Sequence, residues 1–132
     1  MEKERFEEML QSFQSLEQDG TIVHKKIYLF GHCNASEQLV DLLIQHRYNP
    51  VAILDNNSHK LGKKYRNVPI IQPDAIMLDK QKQVVVLIVA RAYAAMTHQL
   101  KRLGFQGEIR KLVDYNSYAD YSLSDRTVSR ML

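Results

Sequence analysis

The segment Gly31-His-Cys-Asn-Ala-Ser36 follows the β-rich run Lys26-Ile-Tyr-Leu-Phe30 and opens a helical pattern, a setting in which a glycine turn and a helix start receive a phosphate. Of a Gly-x-Gly-x-x-Gly spacing it keeps the first glycine, with Cys33 and Ser36 at the other two places. Gly31 permits the tight turn, and the backbone of Gly31, His32, Cys33 and Asn34 is the candidate phosphate contact, helped by the positive end of the helix dipole. The missing second glycine puts a Cβ where the chain should approach a diphosphate closely. Asp55 ends the next apolar strand, near the roughly 20-residue offset at which a carboxylate accepts hydrogen bonds from a ribose diol. Asn56 beside it is a candidate for ribose or base. The competing role for Asp55 is to cap a turn with Asn56 and Asn57. Arg91 follows the buried run Val84 to Ala90, where a guanidinium could pair with the distal phosphate in a bidentate way. Tyr93, two residues on, could cover a base, but it also fits the core stripe of its helix. Lys60, Lys63, Lys64 and Arg66 form the densest positive cluster, read as a solvated loop that draws anions toward Asp55.

Other chemistries fail on inventory. There is no Gly-Lys-Ser/Thr element for a P-loop, and none of the seven tyrosines has Lys four residues later, as hydride chemistry of the short-chain type requires. The five histidines are scattered and one cysteine cannot build a zinc cage, so no metal site is expected. A Cys33 nucleophile with His32 beside it is weighed against Cys33 as a small buried residue, and the latter is preferred because neighbours on a turn seldom face each other. No catalytic residue is assigned.

Elements of regular structure must carry these residues. Phe6, Met9, Leu10, Phe13 and Leu16 recur at three- and four-residue steps, predicting an amphipathic helix over residues 2–18 that Asp19-Gly20 stops. After the first strand, Leu39, Val40, Leu43 and Ile44 predict a helix beginning at about Ala35, with Asn34 as N-cap and Glu37 closing a capping box. Pro50 to Leu54 is the second strand and Val68 to Ile71 the third; Pro73 then starts a short helix through Leu78. Gln83 to Ala90 lacks alternation, the mark of a central strand covered on both faces. Tyr93, Met96, Leu100 and Leu103 stripe the next helix, Gly104 is its expected C′ residue, and Ile109 to Val113 is a fifth strand. The segment from Asp114 to Tyr121 reads as irregular, and Ser122-Leu-Ser-Asp125 signals a last helix to Leu132. That helix lacks a C-cap, which suggests a piece of something longer.

Strands alternating with helices through short loops require a parallel sheet with right-handed crossovers, here of about five strands in the order 3-2-1-4-5 with an extra N-terminal helix: a three-layer, Rossmann-like α/β fold. The ligand crevice of such a sheet lies at the carboxyl ends where the order reverses. The organisation expected is an N-terminal helix in residues 1–20, a nucleotide-binding domain in 25–115, and a tail and helix in 116–132. The 132 residues suit one domain, and 45% hydrophobic with 25% charged residues is globular rather than disordered. A net charge of +3 suits a phosphate-bearing ligand and falls short of a nucleic-acid coat. One cysteine, no apolar run of membrane length and an acidic N-terminus together lead to a cytoplasmic expectation.

The order Ile27-Tyr-Leu-Phe-Gly31, Val51-Ala-Ile-Leu-Asp-Asn-Asn57, Lys60-Leu-Gly62, Val68-Pro-Ile70 and Pro73 resembles the Rossmann-like N-terminal domain of bacterial surface-polysaccharide enzymes, the sugar O-acyltransferase family and nucleotide-sugar dehydratase relatives. The resemblance covers about residues 25–115. It implies a UDP-sugar held near Gly31, Cys33 and Asp55, and the hexapeptide repeats of that family's acyltransferase domain are not among these 132 residues. The leading expectation is therefore a nucleotide- or nucleotide-sugar-binding domain of a cell-envelope polysaccharide or teichoic-acid pathway, accessory to a larger transferase rather than catalytic alone. The alternatives are an interaction module that uses the Phe6 to Leu16 helix as a homodimer or interdomain contact, and a fragment of an NAD(P)-linked sugar oxidoreductase. The cofactor is left unassigned, with a nucleotide-sugar and NAD(P) as the candidates, and neither a nucleic acid nor a membrane span is expected among the partners.

Overall fold

The computed structural model of the chain describes residues 2–115; the expected irregular segment beyond Tyr115 and the last helix lie outside them. Six strands form one sheet: β1 (Lys26–Phe30), β2 (Ala52–Leu54), β3 (Lys64–Tyr65), β4 (Val68–Ile71), β5 (Val84–Ile88) and β6 (Glu108–Lys111). Their order is β3-β4-β2-β1-β5-β6, and every pairing is parallel except β3 with β4. Without β3, this is the expected order. Tyr28 of β1 stands between Ala52 of β2 and Val86 of β5, which puts β1 in the interior of the sheet.

Alternation along β1 divides the core. Ile27 and Leu29 join Ile53, Val85 and Leu87 on one face, beneath helices α1 (Lys3–Gln18) and α2 (Asn34–Gln45). Tyr28 and Phe30 join Leu54, Val86 and Ile88 on the other, beneath α3 (Tyr93–Arg102) and the 3₁₀ turn Pro73–Leu78. The partner that the α1 stripe requires is the chain's own sheet. Met9 and Phe13 are fully buried and Leu16 nearly so, within the cluster that contains Ile27 and Leu39. Those three residues are thus not the surface of a dimer or interdomain contact.

Two local expectations are corrected. Helix α2 starts one residue early, so its N-cap is Cys33 rather than Asn34. Ser36 Oγ accepts the Cys33 N–H at 2.8 Å, the Cys33 side chain accepts the N–H of Ser36, and the capping box slides back one position. Cys33 itself is exposed, not buried. The basic stretch expected to be loop contains β3, which folds back on β4 through Arg66 and Asn67, both at positive φ. Consecutive left-handed residues are the geometry of a type I′ hairpin turn, usually signalled by Asn-Gly rather than Arg-Asn.

At the amino ends of the strands, Asp79 ties the segment after the 3₁₀ turn to β1. It accepts hydrogen bonds from Lys26 Nζ at 2.6 Å and from the buried Tyr28 hydroxyl. Lys26, then Tyr28, hold the Asp79 carboxyl below the usual carboxylate range. A depressed folded value contributes stability that is complete above about pH 3.9 and is lost as pH falls through the folded value. Burial, then Asp79, pushes the Tyr28 hydroxyl up, so its contribution is lost on the other side, as pH rises above about 10. Asp79→Ala is expected to cost about 1–3 kcal/mol at pH 7 and to flatten the melting temperature against pH below about pH 4. Thermal melts of both proteins across pH 2–7 check this; parallel curves would contradict it.

Candidate functional site

The carboxyl ends of β2, β1 and β5 put Asp55, the Gly31 turn and Arg91 along one edge of the sheet. Gly31 has φ +94°, and its N–H bonds to the Leu54 carbonyl at 2.7 Å, fixing the turn against the end of β2. A Cβ built there would lie 2.8 Å from Met96 Cε and 3.3 Å from the Ala90 side chain. Glycine is therefore required on two counts, backbone conformation and space.

Asp55 is bonded to both neighbouring turns. Its Oδ2 accepts the His32 N–H at 2.7 Å, and its Oδ1 accepts the Asn57 N–H at 2.7 Å. The turn-capping role and the position beside the β1 turn are thus both realised by one carboxylate. Lys60 Nζ donates to the His32 carbonyl at 2.8 Å, so the first lysine of the basic cluster brackets the β1 turn from the opposite polarity. His32 Nε2 lies 2.8 Å from Glu37 Oε2, the carboxylate that the shifted cap leaves available, and its Nδ1 is buried with no hydrogen-bond partner among the described residues. The N–H groups of His32, Cys33 and Ser36 are each bonded to a side chain in this conformation. A phosphate received at this turn would exchange those bonds for its own. Asn34 is exposed at the start of α2.

Asn56 does not stand alone. It makes two amide–amide hydrogen bonds with Gln99 of α3, both 2.8 Å, bridging the β2 loop to the helix after β5. Beside this bridge lies an open cleft of about 350 Å³, lined by Asp55, Asn56, Ser58, Gln72, Asp74 and Gln99 among others. This falls in the size range of small-molecule sites, about 300–1,000 Å³. Its lining combines these polar groups, two of them carboxylates, with the apolar side chains of Leu61, Pro73 and Leu103, and includes no cation.

Arg91 belongs to a different neighbourhood. Its guanidinium lies 4.7 Å from the centroid of the Tyr115 ring, and that of Arg5 from α1 lies 4.7 Å from the same centroid. Tyr93 is half-buried beneath Lys111, whose Nζ is 5.1 Å from its ring, and not in the cleft. Burial, opposed by Arg5, pushes the Tyr115 hydroxyl up; Cys33 also raises it, which places the β1 turn within electrostatic range of this ring. Arg91, Tyr93, Lys111 and Tyr115 line a small cavity of about 40 Å³, separate from the cleft beside Asp55. Arg66 pairs with Asp41 at 2.6 Å, away from both.

Sequence reasoning missed Gln99, Arg5 and Tyr115. Gln99 lies three residues beyond Met96, next to the apolar stripe of α3, and that spacing alone could have flagged it. Nothing in the sequence brings Arg5 to the carboxyl edge. Among the described residues no cluster of three metal-ligating side chains occurs, and no helix is long and apolar enough to cross a membrane.

No protein-family model matches the chain, nor does any curated protein. Solved structures do. A Rex-family repressor superposes with a TM-score of 0.56 at 12% identity over 92% of this chain and 68% of the repressor. The repressor in complex with β-NADH gives 0.54 at 12% identity, covering 92% and 69%. UDP-D-quinovosamine 4-dehydrogenase from Vibrio fischeri gives 0.58 at 20% identity, covering 76% of this chain and 87% of the dehydrogenase. With the parallel sheet and its order, these similarities establish that the chain has a Rossmann-like α/β fold.

Proposed function

We propose that this chain is a nucleotide- or nucleotide-sugar-binding domain of a cell-envelope polysaccharide pathway, without complete catalytic machinery of its own. The observation that carries the reading is the cleft of about 350 Å³ at the carboxyl end of β2, with Asp55, Asn56 and Gln99 on its wall. Carboxylates and amides with no lining cation suit the uncharged part of a nucleotide: the diol as donor to Asp55, the base edge as partner to an amide. The Gly31 turn, with His32, Cys33 and Asn34, lies one strand over, on the side where a diphosphate would continue, and Arg91 lies one strand further. A Rex-family repressor in complex with β-NADH and a dehydrogenase acting on a UDP-sugar share the fold, which supports a nucleotide-type ligand. The surface-polysaccharide resemblance supports the sugar and the pathway.

Calorimetric titration with UDP-glucose and with NADH tests the reading. Binding of one of them is expected, and Asn56→Ala, which removes an exposed side chain bonded to Gln99, is expected to weaken it about fivefold to tenfold, or about 1.0–1.4 kcal/mol. No heat from either ligand, or unchanged affinity in the variant, would overturn the assignment.

A further inference from the structure

The basic stretch after Asp55 is not uniform. Lys63, Lys64 and Arg66 are exposed, and Arg66 pairs with Asp41 at 2.6 Å, whereas Lys60 is half-buried and turns its ammonium back onto the β1 turn. There it donates to the His32 carbonyl at 2.8 Å, while Asp55 accepts the N–H of the same residue at 2.7 Å. The loop that carries it is closed by its own backbone. The Lys60 N–H donates to the Asn57 carbonyl at 3.0 Å, the Lys63 N–H to the Lys60 carbonyl at 3.2 Å and the Gly62 N–H to the Ile70 carbonyl at 3.1 Å. The ammonium is therefore held at the turn rather than trailing in solvent.

Its charge is not matched locally. A lysine offers three ammonium hydrogens, and one neutral carbonyl takes only one of them. Among the described residues no carboxylate forms an ion pair with Lys60. Asp55, on the other side of His32, gives its two oxygens to backbone N–H groups. The turn itself has little to offer an anion, because the N–H groups of His32, Cys33 and Ser36 are already bonded to side chains and the glycines that would let a phosphate approach the backbone are missing. A phosphate arriving here meets occupied amides and one cation with donors to spare.

Position supplies the rest. Ser58 and Leu61, close to Lys60 in the chain, line the cleft beside Asp55, so the ammonium stands at the border between the cleft and the β1 turn. We propose that Lys60 is the phosphate-binding cation of the site, receiving the phosphate next to the ribose whose diol Asp55 holds, in place of the backbone amides of a glycine-rich turn. This rests on the nucleotide reading above and adds the cation that the cleft lining lacks. An ammonium acts there as a point charge, without the two-pronged geometry of a guanidinium.

The test is calorimetric titration of the full chain with UDP, ADP and their nucleosides uridine and adenosine, comparing wild type with Lys60→Gln, Lys60→Arg and Lys63→Gln. Lys60→Gln is expected to weaken the diphosphate that binds by about tenfold or more, the scale of one charge-assisted hydrogen bond, with its nucleoside unchanged. Lys60→Arg, which keeps the charge, is expected to stay within about threefold of wild type, and Lys63→Gln, which removes an exposed charge from the same loop, within about twofold. A nucleoside loss as large as the diphosphate loss would mean that Lys60 only braces the turn. Equal losses in Lys60→Gln and Lys63→Gln would mean that only the general field of the loop matters. Either result, or unchanged diphosphate affinity in Lys60→Gln, would overturn the assignment and leave nucleotide binding standing. Absence of binding by all four compounds to the wild type would overturn both.

Discussion

Gly31→Ala is expected to lower stability by about 2–6 kcal/mol. Two independent costs add. The φ of +94° is a conformation that L side chains rarely adopt, worth about 1–3 kcal/mol of strain. The new Cβ would also meet Met96 Cε at 2.8 Å, an overpacking contact that costs about 1–3 kcal/mol, reduced if the flexible methionine end moves aside. A double variant, Gly31→Ala with Met96→Ala, separates them. It should recover the steric part and keep the conformational one. Urea unfolding with unchanged slope measures both, and a loss below about 1 kcal/mol would mean that the turn relaxes more freely than its bonds to Leu54 and Asp55 imply.

The second large effect concerns α1. Phe13 is fully buried, with its ring edge-on to His46 at 4.9 Å and to Tyr48 at 6.0 Å, and Phe13→Ala is expected to cost about 3–5 kcal/mol. Removal of residues 2–20 should do more than remove a contact surface. It would expose the face of the sheet that Met9, Phe13 and Leu16 cover, so the expected product is an unfolded or aggregating chain rather than a stable smaller domain. Circular dichroism and light scattering of the truncated protein decide the matter. A folded monomer would show that α1 is an appendage after all.

Why the topology was legible and the site only partly so follows from what each depends on. Strand order needs only the alternation of apolar runs and helical stripes. Val84 to Ile88, buried throughout, was recognisable because a strand covered on both faces shows no alternation. The hairpin that adds β3 was not, because two polar residues paired at an edge carry no periodic signal and Arg66-Asn67 lacks the glycine that usually marks the turn. Asp55 was placed by its offset from Gly31, yet its simultaneous hold on His32 and Asn57 depends on how closely two loops approach. The same holds for Cys33 and Ser36, where a one-residue shift of the helix start exchanged the capping partners and released Glu37 to His32. Arg5 and Tyr115 stand at opposite ends of the described chain. Their contact depends on the direction in which α1 crosses the sheet, and composition contains no trace of it.

Backbone amide shifts of isotope-labelled protein titrated with UDP-glucose and NADH offer the sharpest view of where a ligand sits. The account predicts saturable changes at Asp55, Asn56 and Gln99, continuing through His32 to Arg91. Changes absent from these residues, or centred instead on the opposite, amino-terminal edge around Asp79 and Gln83, would contradict it.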